Sequence, residues 1–422
     1  MYRYLIPAYY RKIEIIISRI HSLIVPQIIS LSVYCNIMNI FIDISFLWSI
    51  MRGDSVSFFY CMKFVETTDH FFFTNKMRGD SVHILGLWMN IGIMGIGMYT
   101  PSAREDSAYI AAQTGIPEEV IREKFGVHSK PVPGLVDTPS YMGLQAAKAA
   151  MDEAGIDPAE IDLVIWNGAQ HKDYPCWLAG LHIANELGAV NAWGFDMEAM
   201  CGSMIAGLEV AKSMLIANAH YKTVLLVSGY RNGDLIDYTV PETSFMFDLG
   251  AGGAAMILRK GYEKNLLLGC AFKGDGSFSN DCTVKVGGAA SWPMTAKEID
   301  QFHFTIDDPE EFKRKLGERT MPNFFGVIRT ALERSGELVD SDIDYLAILH
   351  FKRSTHQYVL DELALQDQQT FYLEDYGHIG QNDQVISLIE GLKQQKIHPG
   401  DTVVMVGAGL GFVWASAVIR WG

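Results

Sequence analysis

Cysteine is scarce in this chain and never closely paired. Six residues in 422 stand at positions 35, 61, 176, 201, 270 and 282, with no C-x-x-C among them. Such spacing offers neither a disulfide framework nor a zinc site, and it suits a reducing, cytoplasmic compartment. A basic excess is missing as well. Residues 1–88 hold 8 Lys and Arg against 6 Asp and Glu, which leaves 26 against 43 for residues 89–422, a net of −17. A body that acidic has no surplus to neutralise phosphates, which argues against nucleic acid as the main partner and means that any acidic partner needs a local basic patch. Ionisable Asp, Glu, Lys and Arg are absent altogether from Ile20 to Ile42. That run is long enough to cross a bilayer, but Pro26 and polar residues such as His21, Gln27 and Asn36 weaken it, and a membrane span is not expected.

What is present divides at Met89. Residues 1–88 are rich in Ile, Phe and Ser and hold no helical or strand period, and Met-Arg-Gly-Asp-Ser-Val occurs twice, at 51–56 and 77–82. They read as upstream sequence or a hydrophobic extension, with the working protein beginning at Met89. From there the texture changes. Asn90–Met98 is an apolar, Gly-punctuated strand, and Ser140–Gly155 is an amphipathic helix with Leu144, Ala147, Met151 and Ala154 on one side. Ile161–Trp166 and Tyr221–Ser228 are continuous apolar runs of the kind buried on both faces. The second half repeats the first: Ile161-Asp162 answers Ile343-Asp344 at an offset of 182, and Thr223-Val-Leu-Leu-Val answers Thr402-Val-Val-Met-Val at 179. Two copies of one α/β unit follow, over 89–263 and 264–422, with mainly parallel strands and a site beyond their carboxyl ends.

Four stretches can carry chemistry. Cys201 sits in Met-Cys-Gly-Ser between a short strand and a helix, where the positive end of the helix dipole favours a thiolate. His350 ends the apolar strand Tyr345–Leu349 in the opposite half, where a base or hydrogen-bond donor is needed. His378 lies in the polar turn Glu374–Asp383, which opens a helix over Val385–Gln394. Val406-Gly-Ala-Gly-Leu-Gly411 lacks the helix and spaced acid of a dinucleotide site, and it suits close backbone approach to a ligand.

In their order and spacing these stretches, with Tyr174-Pro175, Asp248-Leu-Gly-Ala-Gly-Gly-Ala and the terminal Gly409-Leu-Gly-Phe-Val-Trp, resemble the thiolase-like condensing enzymes. The most similar branch is β-ketoacyl-ACP synthase III, and the resemblance spans about residues 90–421. It implies a thiolase-like fold of two α/β halves, layered α-β-α-β-α, and a homodimer. It also implies that Cys201 takes an acyl group from acyl-CoA or an acyl carrier protein. His350 would donate to the carbonyl of a malonyl-ACP or malonyl-CoA extender, in fatty acid or polyketide-type biosynthesis. His378 stands where that branch carries Asn, giving the Cys-His-His set of the elongating synthases. The backbone N–H groups of Cys201 and of Gly409-Leu410 would form an oxyanion hole. Tyr109 and Thr114 would meet the coenzyme, and Lys352 and Arg353 would stand in for the carrier-docking Arg whose place Thr355 occupies. No bound metal or permanent cofactor is implied. Two other functions remain open: transfer of the Cys-bound acyl group to a non-malonyl acceptor, and a non-catalytic partner subunit, against which the intact Cys201 and His350 argue.

Overall fold

The uninterrupted apolar runs become strands covered on both faces. The computed structural model describes residues 90–168 and 171–422; the uncharged run, the repeated hexapeptide and the expected start at Met89 lie outside them. The first half comprises β1 (Ile91–Tyr99), β2 (Arg104–Asp106), α1 (Ser107–Thr114), β3 (Ser129–Pro131), α2 (Pro139–Ala154), β4 (Leu163–Gly168), α3 (Ala179–Leu187), β5 (Trp193–Glu198), α4 (Ser203–Ala217), β6 (Thr223–Tyr230) and β7 (Gly252–Lys260). The second comprises β8 (Leu266–Gly274), β9 (Cys282–Val284), β10 (Phe304–Ile306), α5 (Pro309–Arg334), β11 (Tyr345–Ile348), α6 (Arg353–Glu362), α7 (Asp383–Lys393), β12 (Thr402–Gly409) and β13 (Val413–Arg420).

The duplication is visible in the strand order. The first half reads β1-β7-β6-β4-β5 and the second β8-β13-β12-β11. The senses match pair for pair: antiparallel, antiparallel, parallel. β4 then pairs with β5 in parallel, and at the equivalent place β11 makes one parallel bridge, Leu346 to Thr370. The halves join edge to edge through a single pair, Gly92 with Leu266. Strands were expected to be mainly parallel, and the sheet is instead mixed. In each half a late strand returns antiparallel and inserts beside the first. For β12 and β13 the reason is length: the three residues between Gly409 and Val413 close a hairpin and cannot make a parallel crossover.

Five layers result. α2 and α3 pack Ala146, Ala150 and Ile183 on the outer face of the first half. α5 and α6 do the same on the second half with Phe324, Ile328, Val359 and Leu360. Between the halves lie α4 and α7, whose Met204, Leu208, Val385 and Leu388 share one core with β1, β6, β11 and β12. Truncating such fully buried aliphatic side chains costs about 2–5 kcal/mol each. The window Met200–Ala217 is long and apolar enough to cross a bilayer, and half of it is buried in this central layer. The buried face of α2 is Met142, Gly143, Ala146, Ala147, Ala150 and Met151, while Leu144 and Ala154 are only half-buried. Small residues face the sheet because the backbones approach closely there; Ala147 and Met151 lie on the face expected, and Leu144 and Ala154 pack at its edge.

Candidate active site

The site forms where both inner helices begin. β5 ends at Glu198, and the chain turns through Met200 in the left-handed region (φ 49°) before α4 starts. The Ser203 hydroxyl accepts from Ala199 N at 2.7 Å and donates to Gly168 O at 3.0 Å, clipping the turn to the end of β4. This geometry puts Cys201 at the head of α4, buried but lining a cavity. From the other half, β11 delivers His350, and the turn before α7 delivers His378.

His378 Nε2 lies 3.2 Å from Cys201 Sγ, and its Nδ1 lies 2.6 Å from Asp383 Oδ2. Asp383 is fully buried and also accepts from Ile379 N and His350 N, each at 2.7 Å. Burial alone would lower the His378 pKa; the Asp383 carboxylate and Cys201 outweigh it and push it well above the ordinary histidine value. That shift favours the imidazolium form of His378, the neighbour a thiolate requires.

His350 is held differently. Its Nδ1 is 2.8 Å from Asp248 Oδ2, its Nε2 is 3.3 Å from Gly126 O, and its side chain has no exposure. Burial pushes the Asp248 carboxyl up, yet the His350 hydrogen bond and the charges of His350, His378 and Lys130 hold it below the usual carboxylate range. The backbone is braced as well. Lys130, itself buried, donates to Phe247 O and Leu249 O at 2.9 Å each, on either side of Asp248. Asp248 O accepts from His378 N at 2.9 Å. One loop thus aligns both histidines.

The end of β12 closes the site from above. A Cβ on Gly409 would lie 2.7 Å from Cys201 N, so only glycine admits this approach. The cavity has a volume of about 590 Å³ and is walled chiefly by apolar groups, among them Phe245, Leu316, Met321, Phe351 and Phe412. Lys313 and Lys352 line it and are exposed, marking its opening.

Cys201, His350, His378, Lys352 and Leu410 are thus gathered around one cavity, with Gly409 against Cys201. Tyr109 and Thr114 are not. Tyr109 is 44 % exposed and edge-on to Tyr238. The Thr114 hydroxyl donates to Ile110 O and accepts from Ile116 N, capping α1. The segment that reaches the site lies eleven residues further on. The helical turn Ile121–Phe125 ends at Gly126 (φ 74°), whose carbonyl meets His350, and Lys352 Nζ sits 5.0 Å over the Phe125 ring. Arg353 is not free at the opening: it pairs with Glu374 and stacks 4.4 Å over Tyr372. Asp383, Asp248 and Lys130 had no role assigned from the sequence. A carboxylate five residues after His378, at the head of a helix, was a usable signal for the first; the other two are brought in only by the fold.

Known proteins share this arrangement. Residues 195–276 match the family model of 3-oxoacyl-[acyl-carrier-protein] synthase III, and residues 332–421 match the model of its C-terminal region. The β-ketoacyl-[acyl-carrier-protein] synthase III of Azobacteroides pseudotrichonymphae is 28 % identical over 336 residues, which is 78 % of this chain and 97 % of that protein. The protein of the same name from Roseiflexus castenholzii is 29 % identical over 334 residues, with the same shares. The crystal structure of 3-oxoacyl-(acyl carrier protein) synthase III from Pseudomonas aeruginosa PAO1 superposes with a TM-score of 0.67 at 24 % identity, covering 79 % of this chain and 98 % of that one. Fold and site together define a thiolase-like protein with a cysteine between duplicated halves. In sequence the chain is similar, along both halves, to the β-ketoacyl-ACP synthase III condensing enzymes.

Proposed function

We propose that the protein acylates Cys201 from a thioester donor and condenses that acyl group with a malonyl thioester. The observation that carries this is the contact of Cys201 Sγ with His378 Nε2 at 3.2 Å on an apolar cavity, with the buried Asp383 carboxylate behind the histidine. The Cys201 thiolate attacks the donor carbonyl, the tetrahedral adduct collapses, and the donor sulfur leaves as a thiolate that takes its proton from solvent, so that His378 keeps its own. The N–H groups of Cys201 and of the Gly409-Leu410 loop, held together by the close approach of Gly409, suit the oxyanion of that adduct.

In the second half-reaction the bond from the malonyl α-carbon to its carboxyl group breaks. CO₂ leaves, and the electron pair remains as an enolate. The α-carbon then attacks the Cys201 thioester carbonyl, forming the carbon–carbon bond and expelling the Cys201 thiolate. His378 Nε2 is available to the enolate oxygen once Cys201 is acylated. His350 can join it by exchanging its long bond to Gly126 O for one to substrate. The donor is acyl-CoA or an acyl carrier protein and the extender malonyl-ACP or malonyl-CoA, in the cytoplasm, with no permanent cofactor. A homodimer is the working assembly; β5, last in the strand order with Trp193 exposed, offers a free edge for it. One observation favours transfer to a non-malonyl acceptor instead: both ring nitrogens of His350 already face acceptors of the protein.

Intact-protein mass spectrometry with a panel of acyl-CoAs, beside Cys201→Ala, tests the reading. The expected result is an acyl adduct that the variant lacks and that a malonyl thioester discharges with release of CO₂. Discharge without CO₂ would select the acyltransferase; no adduct from any CoA or carrier-bound donor would remove Cys201 as the nucleophile and favour the partner-subunit reading.

A further inference from the structure

We infer that Tyr230 is a catalytic hydrogen-bond donor in this site, directed at the extender's thioester oxygen as it becomes an enolate; the inference rests on the condensation reading above. Tyr230 is the last residue of β6, at the carboxyl end where sites of such sheets gather. It is only 3 % exposed, and it lines the cavity together with Cys201 and His378. Its ring stands 6.3 Å from the His378 ring. Gly380 is what lets it pack there: a Cβ at that position would come within 2.4 Å of the Tyr230 ring.

Its hydroxyl makes no hydrogen bond to the described residues, and it is not among the fully enclosed unpartnered atoms, so it keeps contact with open space, which here is the cavity that the residue lines. A phenol open only to the cavity is free to donate to a group that enters it. Burial, then the negative charges at Cys201, Asp383 and Asp248, push its pKa well above the ordinary tyrosine value. Tyr230 is therefore a neutral donor across the working range and cannot serve as a base.

The chemistry has a place for such a donor. When the malonyl carboxyl group leaves as CO₂, the electron pair it leaves behind moves onto the thioester oxygen. That oxygen gains most of a negative charge and calls for more than one donor. His378 supplies one. His350 must first release Gly126 O to supply another. Tyr230 already has its proton uncommitted. A donor that bonds more strongly to the enolate than to the ground-state carbonyl lowers the barrier without tightening binding. Acylation of Cys201 has no such requirement, because its oxyanion falls to backbone N–H groups.

Tyr230→Phe keeps the ring and its packing on Gly380 and removes only the hydroxyl. The expected result is a fall of about 10²-fold in CO₂ release from a malonyl thioester, with KM for it little changed. The rate of Cys201 acylation, read by mass spectrometry, should stay within about threefold of wild type. Equal losses in both half-reactions would mean that Tyr230 acts through Cys201 or the fold, and no loss in either would remove the role; both overturn the inference. If wild type itself releases no CO₂ from any malonyl thioester, the condensation reading fails and the role fails with it. An active wild type matched by Tyr230→Phe removes the role alone.

Discussion

At the scale of single residues, the charge on His378 is the feature most open to experiment. Burial alone would lower the pKa of this imidazole, and Asp383 is the larger of the two groups, with Cys201, that oppose it. The sign follows directly. In Asp383→Asn the larger raising influence is gone, burial still lowers the pKa and only Cys201 is left to raise it, so the His378 pKa falls and Cys201 keeps its counter-cation over a narrower pH range. Alkylation of Cys201 by iodoacetamide at about pH 6.5 should drop at least tenfold, and the pH–rate curve should move to the alkaline side. Circular dichroism checks that the fold survives, since Asn can still accept from Ile379 N or His350 N. An unchanged curve would mean that some group other than His378 sets the reactivity of Cys201.

At the scale of elements, the site depends on how closely the end of β12 approaches the head of α4. Gly409→Ala sets a Cβ against backbone, Cys201 N and Ala199 O, where no side-chain rotation relieves the clash. Acylation of Cys201 should fall at least tenfold as the oxyanion N–H groups separate, while thermal unfolding shifts only by a few degrees. Normal acylation would show that the loop's N–H groups are not needed. The same element shows what sequence reading could reach. The glycine-rich run was read as a place of close backbone approach, and it is one, because three glycines in six residues have few other uses. That run also lies between two strands only three residues apart, so the antiparallel hairpin was legible in the spacing and was overridden by the expectation of a parallel sheet. The segment that reaches His350 was not legible for a different reason. Thr114-Gly115-Ile116 and Phe125-Gly126-Val127 are both left-handed turns after a helix, and nothing local distinguishes the one that faces His350. Asp248 and Lys130 were beyond reach, since residues 118 positions apart meet only once the first half has folded.

At the scale of the whole molecule, charge opposes the reaction that the site is built for. Residues 89–422 carry a net of −17, and on the proposed reaction coenzyme A or an acyl carrier would bring further negative charge to the cavity opening. Long-range repulsion should slow their encounter, and salt screens it, with a Debye length of about 10 Å at 0.1 M. Lys313 and Lys352 act against it at short range, where screening is weaker, and Arg353 contributes little because Glu374 already holds it. Two effects of opposite salt dependence therefore compete. The body's excess is much larger than two lysines, so kcat/KM for acyl-CoA should rise as salt goes from about 20 to about 150 mM. In Lys352→Glu the same quantity should be lower by about tenfold at the low-salt end and should recover part of that loss at the high end. An acyl thioester of neutral N-acetylcysteamine separates charge from shape. It enters the same cavity and meets the same Cys201, but it carries no phosphate, so neither salt nor Lys352→Glu should change its rate of acylation by more than about twofold. If the neutral thioester falls as far as acyl-CoA does, Lys352 is holding the wall formed with Phe125, and the opening selects its donor by fit instead of by charge.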